Sequence, residues 1–355
     1  MLGHLQKPKN ILTFVGNNRL TTMQPTFSIR FSPLQGYTDA IYRQAHARFF
    51  GGVECYYSPF VRVEHGEIRR KDVRDIEPEN NEGFRLVPQL IAPDLEKAER
   101  ILELFVSRGY READLNLGCP FPLLAKRHNG AGMLPYPEEV ENLLTTLCQK
   151  FPQMRLSVKL RLGWEQAGEC LALLPLLNRL PLSDLILHPR LGKQQYKGEV
   201  DMEAFSAFYE RCEKPLFYNG DLLTVADISR VRERFPRLAG VVVGRGLLAN
   251  PALGLEYARG SELPEAEKRE KIRLMHSDVF CRYAELLQGG DRQLLMKMKS
   301  FWEYLLPEGD RKAHKAIHKA SRLDAYQAAV NSLLHVNYEG EKAVYDFSLI
   351  SPKYI

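Results

Sequence analysis

The stretch Asp114-Leu115-Asn116-Leu117-Gly118-Cys119-Pro120 ends an apolar, strand-like run in a polar turn that presents one cysteine and is closed by a proline. A thiol at the end of a buried strand can hand over a proton, and catalytic residues of α/β barrels sit at such strand ends. An isolated cysteine, however, is more often an ordinary core residue. The other strand ends decide between the two. Eight apolar runs can be read along the chain, and their C-terminal ends carry Ser32-Pro33-Leu34-Gln35, Ser58, Gln89, Asn116 with Cys119, Lys159 with Arg161, His188 with Arg190, Asn219-Gly220-Asp221, and Gly244-Arg245-Gly246. All but the second end in strongly polar or cationic chemistry, while the bodies of the runs are mostly apolar. Polar termini in register are hard to assign to stability alone.

The last two turns offer backbone N–H groups, small glycines and the Arg245 guanidinium, which together make a phosphate cradle where barrels usually keep one. Lys159 and His188 add positive or donor character. The Gln89 amide both donates and accepts, as the edge of a planar heterocycle requires. A phosphorylated, planar cofactor is the expectation, and flavin mononucleotide (FMN) fits it.

These residues need elements to position them. The apolar runs lie at 28–33, 54–58, 85–90, 112–116, 155–161, 184–188, 215–219 and 240–244. Helical spacing fills 39–50, 94–108, 137–150, 168–178, 202–212 and 224–234, and only the charged connection 61–81 resists assignment. Parallel strands need crossover helices, so eight alternating units predict a (β/α)8 TIM barrel over 27–260. A doubly wound open sheet is the competing arrangement, and the absence of G-x-G-x-x-G after the first run weighs against it. Arg259-Gly260-Ser261-Glu262-Leu263-Pro264 reads as a linker to a small all-helical domain, 261–335, with helices expected at 265–287, 292–306, 311–319 and 321–334. Residues 1–26 hold Lys7, Lys9 and Arg19 but no acidic residue, and read as a flexible leader; 336–355 reads as a C-terminal tail.

Composition bounds the rest. The 355 residues suffice for a barrel plus a smaller domain, and 45% apolar residues support a sizeable core. No run of 18 uninterrupted apolar residues suggests a membrane span. Six scattered cysteines, with no C-x-x-C and no Cys/His cluster at zinc spacing, point to a reducing cytoplasm with neither disulfides nor a structural metal. The net charge of +5 is mild. Between 292 and 322, though, Arg292, Lys297, Lys299, Arg311, Lys312, Lys315, Lys319 and Arg322 face only three acids, with Phe301, Trp302 and Tyr304 interleaved.

Taken together these motifs resemble the tRNA-dihydrouridine synthases, over roughly residues 28 to 335. Asn116-Leu117-Gly118-Cys119-Pro120 is similar to the family's N-x-G-C-P motif, and Val158-Lys159-Leu160-Arg161-Leu162-Gly163-Trp164 to V-K-x-R-x-G-W. His188-Pro189-Arg190 with Gln194, Tyr196 and Gly198 resembles H-x-R-T-x-x-Q-x-Y-x-G, with Leu191 in place of the threonine. Tyr218-Asn219-Gly220-Asp221 and Gly244-Arg245-Gly246 match the flavin-phosphate segments. Phe60-Val61-Arg62-Val63 and Lys297-Met298-Lys299 with Tyr304 bring it nearest the synthase C branch, which is associated with uridine 16 of the D-loop. Two departures stand out: Ser32-Pro33-Leu34 replaces A-P-M, and Pro122-Leu123 stands where a lysine is common after C-P.

The resemblance implies an FMN enzyme, charged by NADPH, that delivers hydride to C6 of a tRNA uracil while Cys119 protonates C5. It places Ser32, Pro33, Leu34, Gln89, Lys159, His188, Asn219, Gly220, Asp221, Gly244 and Arg245 on the flavin. Asn116, Arg62, Arg190, Tyr196, Lys297, Lys299, Tyr304 and Lys319 would serve the tRNA, which a monomer would engage. The target base must leave its stack, so the remainder of the tRNA needs an external grip. A flavin barrel acting on a small pyrimidine or enone, and a non-catalytic RNA-binding barrel, are the alternatives.

Overall fold

The computed structural model describes residues 27–334; the leader and the tail expected from the sequence lie outside the described residues. Eleven strands run in chain order: β1 (Ser28–Phe31), β2 (Tyr56–Tyr57), β3 (Val63–Glu64), β4 (Glu67–Ile68), β5 (Leu86–Val87), β6 (Gln89–Leu90), β7 (Glu112–Leu117), β8 (Arg155–Gly163), β9 (Leu185–Leu191), β10 (Leu216–Tyr218) and β11 (Gly240–Val243). Nine form one parallel sheet in the order β5-β2-β1-β11-β10-β9-β8-β7-β6. β5 and β6 are two pieces of one strand, broken at Pro88, which has no N–H to give the ladder. β5 pairs with β2 and β6 with β7, so the sheet closes on itself as an eight-stranded barrel. The Pro88 carbonyl still accepts from the Asp114 N–H at 3.0 Å, which carries the ladder past the break.

Six crossover helices lie where helical spacing places them: Ala40–Phe49, Leu95–Ser107, Pro137–Lys150, Gly168–Arg179, Met202–Arg211 and Val225–Arg234. Asp39, Asp94 and Thr224 are N-caps rather than first helical residues; each side chain accepts a backbone N–H from the first turn. The connection 61–81 is a β3–β4 hairpin, a short helix Arg70–Asp75 and a 3₁₀ turn Pro78–Asn81.

Polar groups plug the N-terminal end of the barrel. Buried Arg30 donates to Glu54 at 2.8 Å, Asp184 at 3.0 Å and the Tyr57 hydroxyl at 3.0 Å, and its guanidinium lies 3.7 Å from the centre of the Phe217 ring. Beyond the barrel, Gly260 ends a helix (Leu253–Arg259) in a left-handed conformation. The linker that follows is held by buried Glu256, which accepts from the Leu263 N–H at 3.0 Å and pairs with Lys268 at 2.7 Å. Four helices then pack together: Glu265–Leu286, Gly290–Phe301, Arg311–Lys319 and Leu323–Leu334. The second starts two residues earlier than the periodicity suggests and stops at Phe301 instead of 306. There the chain turns to bury Trp302, whose Nε1 donates to the Tyr326 hydroxyl at 2.8 Å. Among the described residues no helix is long and apolar enough to cross a membrane.

Candidate active site

The C-terminal ends of the strands converge on one cleft of about 930 Å³, a space that includes its open mouth. Ser32, Pro33, Leu34, Gln89, Asn116, Cys119, Lys159, His188, Tyr196, Asn219, Gly220, Asp221, Gly244 and Arg245 all line it. Strand register explains the convergence: Gln89 stands opposite Asp114, Asn116 opposite Lys159, and Arg161 opposite His188. Alternate residues of a strand share a face, so Lys159 and Arg161 both turn to the interior.

Cys119 is held by a relay of side chains. The Asn116 Oδ1 accepts the N–H groups of Gly118 at 3.0 Å and Cys119 at 2.8 Å. The Asn116 amide donates to Gln89 Oε1 at 2.8 Å, and the Gln89 amide donates to Asp114 Oδ2 at 2.6 Å. Ser157 donates to the other Asp114 oxygen at 2.7 Å. A carboxylate can only accept, so Asp114 fixes which way the Gln89 amide faces, and Gln89 in turn fixes Asn116. From the far side, Arg161 Nε donates to the Gly118 carbonyl at 2.9 Å, and Arg161 Nη1 also reaches the Leu191 and Gln195 carbonyls. Gly130, at φ +61°, sits directly behind: a Cβ there would stand 2.8 Å from the Cys119 carbonyl oxygen and 2.9 Å from its Cβ. Asn116 is thus committed to shaping the cysteine turn, and Gln89, fully buried, keeps one amide hydrogen for a ligand instead of the donor-and-acceptor edge expected of it.

Burial raises the Cys119 thiol pKa, against the opposing pull of a backbone hydrogen bond at Phe121 and of Arg161, Lys159 and Arg62. The proton therefore stays on sulfur at neutral pH. Burial, followed by repulsion from Arg161, lowers Lys159 to about 8, and Asp114 and Cys119 counter it. Burial raises Asp114 to about 6, against hydrogen bonds from Ser157 and Gln89. His188 falls well below the usual histidine range through burial and then the charges of Arg161, Lys159, Arg190 and Arg245. Its Nε2 lies 3.2 Å from Arg190 Nη1, which can only donate. The neutral ring therefore carries its hydrogen on Nδ1.

The residues suit a flavin phosphate. The Gly244 and Arg245 N–H groups, at the start of helix Arg245–Ala249, have no hydrogen-bond partner among the described residues. Gly246 allows the two cradle loops to touch, because a Cβ there would lie 2.0 Å from the Leu222 carbonyl oxygen. Two expectations change. The Asp221 carboxylate is taken up by Arg190 in a two-pronged pair and by Arg245 at 2.7 Å, and these guanidiniums hold its pKa below the usual carboxylate range against the effect of burial. It orients Arg245 and does not itself suit a phosphate. Arg190, 2% exposed and also bonded to the Gly198 carbonyl, braces that pair and cannot grip tRNA.

Of the other tRNA candidates, Tyr196 is 53% exposed at the mouth, with the Arg161 and Arg245 guanidiniums 5.3 and 5.4 Å from its ring centre. Arg62 pairs with Glu64 at 2.6 Å, while its buried Nε has no partner among the described residues. Lys297 is a brace: it pairs with Asp39 at 2.9 Å, donates to the Gly36 carbonyl at 3.0 Å and lies over Tyr283. Tyr304 packs edge-on against Tyr37. These two dock the helices on the barrel. Among the described residues, Lys299 is half-buried with no ion pair and Lys319 is exposed without one. Arg161 also lines the cleft and braces the cysteine turn, a role that its two-residue spacing from Lys159 signals in the sequence. Phe60, Leu222 and Leu223 also line the cleft; nothing in their residue type singles them out.

Comparison with known proteins supports the same assignment. The family model described as dihydrouridine synthase matches residues 30–327. A tRNA-dihydrouridine(16) synthase of Haemophilus ducreyi is 25% identical over 233 residues, covering 63% of this chain and 71% of that protein. Those of Pseudomonas putida and Vibrio parahaemolyticus are each 28% identical, over 237 and 290 residues, covering 65% and 77% of this chain and 73% and 85% of theirs. A tRNA-dihydrouridine synthase B of Pasteurella multocida is 24% identical over 236 residues, covering 66% of this chain and 70% of that protein. The matched span runs from the first barrel strand into the last described helix, and the chain belongs to the dihydrouridine synthase family of flavin-dependent oxidoreductases.

Proposed function

We propose that this protein reduces the C5=C6 bond of a D-loop uridine in tRNA, position 16, with FMN in the cleft, NADPH as reductant and Cys119 as proton donor. The observation that carries the reading is the thiol of Cys119, kept protonated by burial and held in a fixed turn on the wall of a cleft whose far side is a phosphate cradle. FMN, when bound, supplies the hydride that adds to C6. The amides of Gly244 and Arg245 and the Arg245 guanidinium would hold its phosphate, and Lys159 and the His188 Nδ1–H would face its polar edge.

Cys119 gives its Sγ proton to C5 as C6 gains hydride, so no full enolate charge has to build up on the ring. The thiolate left behind lies in the field of Arg161, Lys159 and Arg62, the cations that already oppose its raised pKa. Solvent then returns the proton. Asn116, Gln89 and Asp114 keep the thiol aimed throughout, which is positional work worth more than its few hydrogen bonds suggest. Helices 261–334 hold the tRNA body, with Lys299 and Lys319 as phosphate contacts, and the chain acts as a cytoplasmic monomer. The uridine position follows the name that most of the relatives carry.

The test is the Cys119→Ala enzyme. It is expected to purify with its yellow flavin and to form no dihydrouridine in purified tRNA; undiminished formation refutes the proton-donor role. Mapping dihydrouridine along tRNA from cells with and without the gene then reads the position.

A further inference from the structure

Seven large apolar side chains stand exposed on the described surface, and five of them (Phe121, Leu123, Tyr136, Tyr196 and Leu223) lie on the loops that follow β7, β9 and β10, Leu123 within a short helix there, Pro122–Ala125. These loops form the C-terminal rim of the barrel, and Tyr196 and Leu223 line the cleft itself. Scattered exposed leucines need no explanation, but apolar groups gathered around one opening do. Phe121 and Leu123 are 54% and 65% exposed and lie two and four residues beyond Cys119, on the segment that continues from the cysteine turn. They are firmly mounted: the Phe121 carbonyl accepts the Leu124 and Ala125 N–H groups at 3.0 Å, and Ala125 is buried. On the same segment Lys126 and Arg127 are exposed and have no ion pair among the described residues.

An exposed aromatic ring and an aliphatic side chain followed by two exposed cations match single-stranded nucleic acid, whose bases present π-faces and whose backbone presents phosphates. A protein partner would match the apolar part but gives no reason for two unpaired cations beside it. We propose that residues 121–127 form a single-stranded RNA contact: an unpaired nucleobase beside the target uridine stacks on Phe121 and Leu123, and Lys126 and Arg127 take phosphates. The inference rests on the tRNA reading above and adds to it the place where the flanking nucleotide sits. In this chain Pro122-Leu123 makes that place apolar, where the resemblance leads one to expect a lysine.

The test uses the flavin-loaded enzyme and purified tRNA. The double variant Phe121→Ala/Leu123→Ala is expected to keep its flavin absorbance and to raise KM for tRNA by at least about 5-fold, the scale of one lost base stack. The ratio to wild type stays constant between about 50 and 200 mM salt, because the lost contact is apolar. Phe121→Tyr, which keeps the ring, leaves KM as in wild type. Lys126→Ala/Arg127→Ala instead lowers the slope of log affinity against log salt by about 1.5. A KM within twofold of wild type in the first variant overturns the contact. Should the wild-type enzyme reduce no tRNA uridine, the proposed function fails separately. Binding of a short oligouridine, read by anisotropy, then decides the proposed contact: equal affinity for wild type and double variant overturns it.

Discussion

Asn116 accepts the backbone N–H of Cys119 at 2.8 Å through the oxygen that also takes the N–H of Gly118, so one side chain sets the geometry of the turn that carries the thiol. Replacing it with alanine leaves both amides, and the Gln89 carbonyl, without a partner in a buried setting. A loss of about 1–3 kcal/mol in stability follows. The rate should fall well beyond what that loss explains, because the thiol is no longer aimed. Asn116→Ala is therefore expected to fold and bind flavin in chemical-denaturation and absorbance measurements, while dihydrouridine formation drops at least roughly tenfold. Near-normal turnover would show that the turn holds its shape without Asn116.

Gly130 makes a sharper test of the same turn. Alanine there must adopt φ +61° and place its Cβ within 3 Å of Cys119. The left-handed backbone alone costs about 1–2 kcal/mol, and the collision acts on the cysteine itself. Gly130→Ala should lower the melting temperature modestly and cut activity steeply, with flavin content retained. Gly66, also at positive φ but with nothing within 4 Å of a built Cβ, is the control: Gly66→Ala should show a comparable stability cost with normal activity.

What the sequence made legible follows from which physics is local. The eight strand runs and six crossover helices could be read because apolar periodicity and capping residues such as Asp94 and Thr224 act over a few residues. The cleft residues could be read because barrel topology gathers strand ends wherever they fall in the chain. The partners those residues choose across the barrel could not. Asp221 and Arg245 look alike as cradle residues in the sequence, yet one is the counter-ion of the other. Lys297 and Lys319 look alike as basic helix residues, yet one meets Asp39, some 260 positions away, and the other meets solvent. Charged connection 61–81 carries no apolar period because its hairpin is only half covered.

That difference between the two lysines is measurable. Lys297→Ala removes a contact between the helices and the barrel, leaving Asp39 and the Gly36 carbonyl short of a donor, and is expected to lower the melting temperature while the salt dependence of tRNA binding stays as in wild type. Lys319→Ala should leave stability unchanged and reduce the slope of log affinity against log salt by about 0.7–0.9, one phosphate contact. Identical behaviour of the two variants would contradict the brace assignment.

The charge on Lys159 supplies a pH signature. With its pKa at about 8, the amine is protonated at neutral pH and loses its charge as pH rises through that value. If it faces the anionic edge of the cofactor, flavin affinity should weaken above about pH 8, and Lys159→Met should bind weakly with no inflection there. Fluorescence titration of FMN across pH 6.5 to 9.5 reads both; an affinity flat across that range in wild type would place Lys159 away from the cofactor's charge.

At the opposite end of the barrel, Arg30 and Glu54 give a stability effect that should leave catalysis alone. Removing Arg30 strands Asp184 and Tyr57 in the interior, and breaking such a buried pair costs about 3–5 kcal/mol. Glu54, hydrogen-bonded by Arg30 and Ser28, has its pKa lowered to about 2 despite a contrary push from burial. A depressed carboxylate contributes stability above its unfolded value near 4.5, and that contribution is lost as pH falls from there toward 2. Glu54 is one-third exposed, so solvent discounts the effect to a modest fraction of the full shift. Glu54→Gln should thus narrow its stability gap to wild type as pH drops from about 5 to 3 in urea titrations, with flavin content at pH 7 unchanged. A gap that is constant with pH would mean that neither Arg30 nor Arg85, which also donates to Glu54 at 2.6 Å, holds it ionised.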